Sequence, residues 1–392
     1  MKKWFISTLL VLLIAVAATL AFAPPAVDRS MNQVVSHNTF PVSARARALH
    51  ESLIVGDWHA DTLLWSRDIR IKDEYGHIDI PRLKKGNVGL QMFTTVTKSP
   101  SGQNYQKNSA DAGDNITTLA VAQRWPVKSW FSLSERALHQ ANKLHELVNE
   151  HPQDVFLITS QERLAEWQTK RLSNNKLLGA LIGTEGSHAL DGKLENVQKL
   201  YQAGFRMMSL HHFFDNKLGA SLHGVSQSGL TQFGRNVVRE IRARNIILDL
   251  SHSSEQVVRE VLAINSGPVI ISHTGFNGHC QTQRNISDEL MQGIAAQGGL
   301  IAIGYWETVL CGNSLDALVG SIKYGMDLVG EDHLSLGSDF DGTIEAVFDT
   351  SELASLTHAL LEQGFSEYQI RKIMGGNMLN FLERMLPEKD ES

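Results

Sequence analysis

A chain of 392 residues is long enough for one large α/β barrel or for two ordinary domains. Its composition, 42% hydrophobic and 20% charged, is that of a globular protein and argues against an intrinsically disordered chain. The net charge of −6 and the lack of a long basic run argue against nucleic acid as a partner, because phosphate binding requires clustered Lys and Arg side chains. Sixteen His residues are many for this length, and we expect some of them to bind metal.

The N-terminal 23 residues predict a targeting or anchoring element that is not part of the fold. Lys2 and Lys3 precede an uncharged run, residues 4–23, and an apolar helix of about 20 residues can cross a bilayer core. Positive charge stays on the cytoplasmic side, so we expect the rest of the chain to be exported, for example to the periplasm. A cut after Ala23 would place Pro24 next to the cleaved bond, where proline is poorly accepted. This favours an uncleaved membrane anchor over a cleaved signal.

The remaining chain divides into a polar connector, a single domain and a short tail. We predict the connector at residues 24–50, the domain at residues 51–386 and a charged, frayed tail at residues 387–392. Within the domain, short apolar runs alternate with amphipathic segments, and one further run, residues 155–159, lies outside the main set. The eight predicted strands are residues 53–57, 89–96, 177–184, 206–211, 245–250, 268–272, 299–306 and 334–338.

Helical patterns separate these strands, which favours parallel strands joined by right-handed crossovers. Eight such units at this length predict a (β/α)₈ barrel of the TIM type. A doubly wound open sheet is the alternative, but a Gly-rich phosphate loop does not follow the first strand. Residues 98–124 predict a long excursion over the barrel mouth. The clearest predicted helices are residues 195–203 and 232–244, a pattern that ends at Ala263, and two closing helices, residues 351–362 and 366–385.

Six of the predicted strands end in residues of the metal-ligand type. The first ends in Asp57-Trp58-His59-Ala60-Asp61, where His59 and Asp61 point the same way because side chains alternate along a strand. In a barrel all carboxyl ends of the strands meet at one face, where active sites lie. The other five strands end in Glu185, in His211 and His212, in His252, in His273, and in Asp339-Phe340-Asp341-Gly342.

This recurrence predicts a metal site. A single His at a strand end is more often a structural residue, but six strands with ligand-type ends are hard to reach by chance. His and carboxylate ligands without thiolate suit zinc in a catalytic site, or manganese or iron. A carboxylate that can bridge suggests two ions, which at a separation of about 3.5–4 Å share and activate a water molecule for hydrolysis.

With these motifs the chain resembles the membrane (renal) dipeptidases, binuclear zinc peptidases among the amidohydrolase-like barrels. The resemblance runs from about residue 50 to residue 385, and the order and the gaps of the motifs match as well as the residue types. Ala60 replaces a common Asn between the first two ligands, which should not affect metal binding. The motifs are Asp57-Trp58-His59-Ala60-Asp61, Thr184-Glu185-Gly186-Ser187-His188, Leu248-Asp249-Leu250-Ser251-His252, Ser272-His273 with Arg284-Asn285, and Gly337-Ser338-Asp339-Phe340-Asp341-Gly342.

The resemblance implies two zinc ions per chain. His59 and Asp61 would bind one ion. His252 and His273 would bind the other, and Glu185 would bridge both.

It also implies three residues that act on the substrate. Asp339 would hold the bridging water and carry its proton, and His212 would polarise the scissile carbonyl and stabilise the oxyanion. Arg284 would pair with the terminal carboxylate of the substrate, which a guanidinium fork binds through both oxygens.

Supporting roles are weaker expectations. Asp57 and Asp249 are expected to hydrogen-bond near the ligands, as groups behind a metal site do. For Asp341 two alternatives remain open: the same supporting role, or capping of the next helix. The remaining histidines near the site are expected to be structural or to line the pocket: His188, His211 and His223.

Cys280 and Cys311 are the only cysteines in the sequence. In an exported protein such a pair can form a disulfide, and the residues alone leave two buried free thiols as the alternative. The resemblance implies the Cys280–Cys311 disulfide.

The N-terminal segment predicts an exported, membrane-anchored protein, and the resemblance implies a binuclear zinc dipeptidase that hydrolyses dipeptides, including those with a C-terminal D-residue. The resemblance also implies a homodimer, by analogy alone. One alternative is an N-acyl-amino-acid deacylase or another amidohydrolase on the same site, which would not need the substrate's free amine. The second is a catalytically inactive binding protein, against which the complete ligand set argues.

Overall fold

The computed structural model of the protein describes residues 4–5, 7–8, 22–264 and 267–390. Most of the predicted membrane anchor, residues 1–23, lies outside the described residues. Among the residues that are described, no helix combines the length and the apolar character that crossing a bilayer requires.

Parallel strands form a nearly closed barrel, and each lies at a position that the sequence predicts. Strand order follows the chain without the reversal that a doubly wound sheet would show, so the barrel prediction is confirmed and the alternative is wrong. A parallel bridge between Ala60 and Phe340 brings the end of the last strand against the first. The eight strands are β1 Val55–Ala60, β2 Val88–Val96, β3 Leu178–Glu185, β4 Phe205–Ser209, β5 Ile247–Asp249, β6 Ile270–Thr274, β7 Leu300–Ile303 and β8 Leu334–Leu336.

Three shorter strands lie outside the barrel ring. Val155–Leu157 pairs with β3, as expected for the extra apolar run. Gln33–Val34 pairs with Glu345–Ala346 in parallel. Residues 22–31 are helical as well, so part of the predicted connector, residues 24–50, has regular structure and contacts the barrel.

Helices surround the barrel, and several begin at a Ser or Thr whose side chain accepts a backbone N–H of the first turn. Ser132, Ser160, Thr231 and Ser314 do so, which satisfies a donor that the helix itself leaves unpaired. The labelled helices are α1 Ala44–Glu51, α2 Ile80–Lys85, α3 Asn115–Ala122, α4 Leu133–Glu150, α5 Gln161–Arg171, α6 Glu195–Gln202, α7 Gln232–Ala243, α8 Glu255–Ile264, α9 Asp288–Ala296, α10 Glu307–Leu310, α11 Leu315–Val329, α12 Leu353–Glu362, α13 Glu367–Arg371 and α14 Asn377–Met385.

One prediction near the C-terminus is wrong and another needs a correction. Residues 367–385 are helical as predicted, but the helix kinks at Gly375, where the backbone lies so close to the Ile54 carbonyl oxygen that only glycine fits. The tail is not frayed over residues 387–390: Asp390 forms an ion pair of 3.1 Å with Arg206 and accepts a hydrogen bond of 2.7 Å from Thr159.

Apolar strand residues divide between two sides of the barrel wall. Leu90, Met92, Leu181 and Met207 belong to one buried cluster, and their neighbours along the strands pack with the surrounding helices in another. Because side chains alternate, the first cluster shares its side with Glu185, four residues after Leu181 on β3. The apolar interior therefore passes into polar side chains toward the carboxyl ends of the strands, which positions the site.

Cys280 and Cys311 form a disulfide with a Cα–Cα distance of 5.4 Å, so the disulfide prediction is confirmed. The bond joins the segment after β6 to the segment after β7, both at the end of the barrel that carries the predicted ligands.

Replacing both cysteines by serine should lower the free energy of unfolding by about 3 kcal/mol, because the bond closes a loop of 31 residues and restricts the unfolded chain. Denaturant unfolding of the oxidised protein, the reduced protein and the double variant would measure this. Equal stability of all three forms would contradict the expected contribution.

Candidate metal centre

The predicted metal ligands come together at the carboxyl ends of four strands. His59 and Asp61 lie at the end of β1, Glu185 ends β3, and His273 lies on β6. His252 follows β5 in a left-handed conformation, with a φ of 61°, which turns the chain at the strand end. Each of the five is buried, at 4% exposure or less.

Glu185 lies at the centre of this group. Its Oε1 is 3.5 Å from His59 Nε2, 3.3 Å from His252 Nε2 and 3.5 Å from His273 Nε2. Its Oε2 is 3.6 Å from His212 Nε2. A carboxylate with a different set of imidazole nitrogens near each oxygen has the arrangement that two cations could share.

The donor set fits metal ions. His59 Nε2 lies 3.6 Å from Asp61, 3.5 Å from Glu185 and 3.8 Å from Asp339, yet it makes no hydrogen bond within the described residues. Close, buried carboxylates repel one another, and cations among them offset this cost. Among the described residues, three groups have ligand atoms within 4.8 Å of one another: His59, Asp61 and Glu185; Glu185, His212 and His252; and His59, His273 and Asp339.

Ser272 controls which imidazole nitrogens face Glu185. Its hydroxyl donates to Asp249 Oδ2 at 2.7 Å. The same oxygen is 3.1 Å from His59 Nδ1 and 2.9 Å from His273 Nδ1. Because the hydroxyl proton is already given to Asp249, both Nδ1 atoms donate, so each ring in its neutral form presents its Nε2 lone pair toward Glu185. This is the tautomer that a metal ligand needs. Burial alone would lower the pKa of His59, but Glu185 and Asp61 raise it well above the ordinary value, so a metal ion at this Nε2 would displace a proton.

Burial sets the charge of the imidazoles next to the carboxylate. It lowers the pKa of His252 and of His273 well below the ordinary value, so both rings are neutral, the form that binds metal. Burial alone would raise the pKa of Glu185, but His212 and His59 hold it well below the usual range, so this carboxyl is ionised.

Asp339 differs from Glu185 in its protonation. Burial, joined by the charges of Glu185 and Asp61 and opposed by His59, raises the pKa of Asp339 well above that of an ordinary aspartate. Its backbone is left-handed, with a φ of 62°, and its side chain is next to His59 at 3.8 Å. A buried carboxyl whose pKa is raised is a stronger base once it is ionised, and it can pass on the proton that it takes up.

A cavity of about 390 Å³ opens onto these residues, and Glu185, His212, His252, Arg284 and Asp339 line it. Residues of the excursion 98–124, Tyr105 among them, line the same cavity, as expected for a loop over the mouth. The Tyr105 hydroxyl accepts a hydrogen bond of 3.1 Å from Trp306 Nε1.

Arg284 is buried on this cavity wall. One guanidinium nitrogen donates to the His273 carbonyl at 2.7 Å, and Nε has no hydrogen-bond partner within the described residues. Burial lowers the pKa of Arg284. A buried guanidinium whose Nε–H has no partner among the described residues can accommodate an anion.

The supporting residues lie where the sequence predicts them. The Asp57 carboxylate accepts the His59 N–H at 2.9 Å and the Ser338 N–H at 3.2 Å, which ties β1 to the end of β8. Asp341 does not cap a helix: it accepts from Thr62 Oγ1 at 2.8 Å and pairs with Arg67 at 2.7 Å.

The histidines expected to be structural all lie near the site. His211 Nδ1 is 3.0 Å from the Ser253 hydroxyl, and His223 Nδ1 is 2.9 Å from the Tyr105 carbonyl. His188 packs beside His212, with 6.5 Å between ring centroids.

Sequence reasoning missed two polar contacts to predicted ligands. Thr94 on β2 donates to Asp61 at 2.6 Å, and Ser272 serves two histidines at once. Ser272 stands beside His273 within a recognised motif, which was a usable signal. Thr94 had none, since a Thr in a buried strand is ordinary.

A (β/α)₈ barrel with buried histidines and carboxylates at the carboxyl ends of its strands defines a metallohydrolase. The family model for membrane dipeptidase (Peptidase family M19) matches residues 43–389. The chain belongs to this membrane dipeptidase family.

Individual relatives are distant in sequence and cover most of the chain. Dipeptidase 3 of Mus musculus is 26% identical over 83% of this chain and 66% of its own length. Dipeptidase aclJ of Aspergillus oryzae is 27% identical over 88% of this chain and 82% of its own length. The chain therefore spans about two thirds of the first of these proteins.

Solved structures of similar fold include an amidohydrolase from Pseudomonas aeruginosa, with a TM-score of 0.69 and 22% identity over 87% of this chain and 99% of that one. A metallo peptidase from Rhodobacter sphaeroides, liganded with a phosphinate mimic of the dipeptide L-Ala-D-Ala, has a TM-score of 0.66 and 22% identity over 85% and 99%. At these identities the likeness concerns the fold.

Replacing Ser272 by alanine should weaken zinc binding about 10- to 100-fold, because His59 and His273 lose the acceptor that holds their tautomers. Ser335→Ala is a matched control, since Ser335 is a buried strand serine whose hydroxyl has no hydrogen-bond partner within the described residues. Titration against a zinc-binding dye would compare the affinities. Equal affinity of the two variants would contradict this role for Ser272.

Proposed function

We propose that this protein is a dipeptidase that uses two zinc ions per chain to hydrolyse dipeptides to free amino acids. Family membership supports the coarser statement, a metal-dependent dipeptidase of the hydrolase class. The observation that carries the proposal is the position of Glu185 at the base of a cavity, with imidazole nitrogens of three histidines within 3.5 Å of one carboxylate oxygen.

His59 and Asp61 would hold one ion, His252 and His273 the other, and Glu185 would contact both. The contacts of Ser272 with His59 Nδ1 and His273 Nδ1 support both rings as ligands, because they leave each Nε2 on the side of Glu185. When bound, the ions would lower the pKa of a water molecule and polarise the scissile carbonyl.

Asp339 would carry the proton of the reaction. Its raised pKa suits a carboxyl that accepts a proton from the attacking water and delivers it to the amine that leaves. Its Oδ1 lies 3.8 Å from His59 Nε2, so the carboxyl borders the space where the attack would occur.

His212 would stabilise the negative charge that develops on the carbonyl oxygen. Its Nδ1 lies 3.3 Å from the Lys98 carbonyl oxygen and donates to it, so Nε2 can donate to the substrate only in the imidazolium form. Nε2 faces Glu185 and the cavity, on the side where the peptide bond would lie.

Arg284 would bind the carboxylate at the C-terminal end of the dipeptide. Its guanidinium is on the cavity wall with Asp339 and Glu185, within reach of a substrate two residues long. Such an anion would also compensate the cost of burying the arginine charge.

The stereochemical range of the substrate belongs to the proposal as well. We include dipeptides with a C-terminal D-residue. The likeness to the Rhodobacter sphaeroides peptidase, which was crystallised with a mimic of L-Ala-D-Ala, supports this inclusion. N-acyl-amino-acid deacylation on the same site is the main alternative, and a catalytically inactive binding protein is the second.

Location and assembly rest on the sequence. We propose that residues 1–23 anchor the protein in the membrane and that the catalytic domain, residues 51–386, lies on the extracytoplasmic side. The Cys280–Cys311 disulfide supports export, because such bonds persist in oxidising compartments. A homodimer stays a prediction that light scattering would check.

Purified protein should cleave L-L and L-D dipeptides with a free N-terminus, and a chelator should abolish the cleavage until zinc is restored. The same panel with acetylated N-termini tests the alternative. Cleavage of only the acetylated compounds would move the assignment to a deacylase. Two zinc ions per chain with no cleavage of either panel would contradict the proposed reaction.

Asp339→Asn should lower kcat about 10²- to 10⁴-fold with two zinc ions retained, because the amide cannot carry the proton. Steady-state kinetics and metal analysis of the same preparation would show this. Full activity in a variant that keeps both ions would rule out the role of Asp339.

A further inference from the structure

A segment outside the family match lies against the site. We name residues 28–35 the N-terminal strap; the family model begins only at residue 43. The strap runs beside the chain that follows Asp339. Its Gln33 N–H donates to the Ile344 carbonyl at 3.2 Å, and its Val35 N–H donates to the Ala346 carbonyl at 2.9 Å. The strap is therefore paired through its backbone with residues 344–346, which follow Asp339 in the chain.

The loop that carries Asp339 has an uncommon backbone conformation. Asp339, Asp341 and Thr343 have φ angles of 62°, 60° and 65°, in the left-handed region that non-glycine residues rarely adopt. A side chain at Gly342 would overlap the Asp339 carboxylate. Such a backbone persists only when surrounding contacts hold it.

Buried side chains of the strap provide such contacts. Asn32 Oδ1 accepts the Thr343 N–H at 2.9 Å, and Asn32 Nδ2 donates to Asp28 Oδ1 at 2.7 Å. Asp28 Oδ2 accepts from Arg67 Nε at 2.7 Å, and the same guanidinium pairs with Asp341 at 2.7 Å. Asp28 and Asn32 are each 1% exposed, so these contacts are shielded from water.

A histidine adds a second link between strap and loop. His77 Nδ1 accepts the Asp341 N–H at 2.9 Å, so Nε2 carries the ring proton and donates to the Gln33 carbonyl at 2.7 Å. Through His77 and Asn32 the strap is therefore connected to both Asp341 and Thr343, which flank Gly342.

Met31 gives the strap a surface in the cavity itself. Its side chain lines the cavity of Glu185 and Asp339 together with Gly342 and Thr343. It is 43% exposed, so a ligand in the cavity could cover apolar surface that is now open to water.

We propose that two residues of the N-terminal strap belong to the active site: Asn32 is a positioning residue that holds the Asp339 loop, and Met31 is a specificity-determining residue that contacts an apolar side chain of the substrate. The specificity role rests on the proposed dipeptidase function. The positioning role rests only on the contacts between strap and loop.

Hydrogen exchange of the full-length protein tests the positioning role without any assay of activity. Asn32→Ala should raise amide exchange of residues 339–346 at least tenfold. Ser30→Ala is the matched control, because among the described residues the exposed Ser30 hydroxyl bonds to the Val27 carbonyl, three residues earlier, and to no residue of the Asp339 loop. Exchange of this loop that is equal in the two variants would overturn the positioning role.

Kinetics with Ala-Ala, Leu-Ala and Ala-Leu test the specificity role. Met31→Ala should lower kcat/KM for Leu-Ala or for Ala-Leu about tenfold relative to Ala-Ala, because apolar contact with the leucine side chain is lost. Asn32→Ala should lower kcat on all three with a smaller change in KM, and Ser30→Ala should alter neither constant.

If Met31→Ala changes the kcat/KM of neither leucine dipeptide relative to Ala-Ala, the specificity role is overturned. A wild-type protein that cleaves none of the three would refute the dipeptidase function and the specificity role with it. In that case the exchange measurement would still decide whether the strap holds the loop.

Discussion

The structure depends on keeping one ionised carboxylate, Glu185, buried among imidazole rings at the end of a β-barrel. Isolated burial of such a charge would be prohibitive. Around Glu185 the chain therefore places His59, His252 and His273, with one nitrogen of each within 3.5 Å of the same oxygen. Further carboxylates lie nearby. Bound cations would offset the repulsion among these negative charges, and this connects the fold to a metal-dependent reaction.

Rigid supports behind the ligands make that arrangement possible. Asp249 fixes the proton of Ser272, and Ser272 in turn fixes the tautomers of His59 and His273. Asp57 joins the two strands at which the barrel nearly closes. The barrel interior is apolar below this level, so the polar groups are confined to one layer at the carboxyl ends. The candidate ligands therefore lie on strands or directly after them, while loops and the strap line the cavity.

The strand positions and the side chains that gather at the site could be predicted because they are local patterns: an apolar run that stops at His59, Glu185 or His273 is visible in a few residues. Contacts across the chain could not. Asp28 and Asn32 lie in a stretch whose sequence predicts a polar connector. No local pattern in it indicates that these two residues contact the chain near residue 341. The interruption at Gly375 depends on the approach of Ile54, more than three hundred residues earlier. Tertiary packing decides such contacts, and at Gly375 it kinks the helix that the pattern of residues 366–385 predicts.

The central claim is that Glu185 joins two metal positions. Anomalous diffraction from crystals of the zinc-loaded protein, recorded on both sides of the zinc absorption edge, tests it most directly. The account predicts two zinc peaks per chain on either side of Glu185, one beside His59 and Asp61 and the other beside His252 and His273. A single peak, or two peaks that Glu185 does not connect, would contradict it.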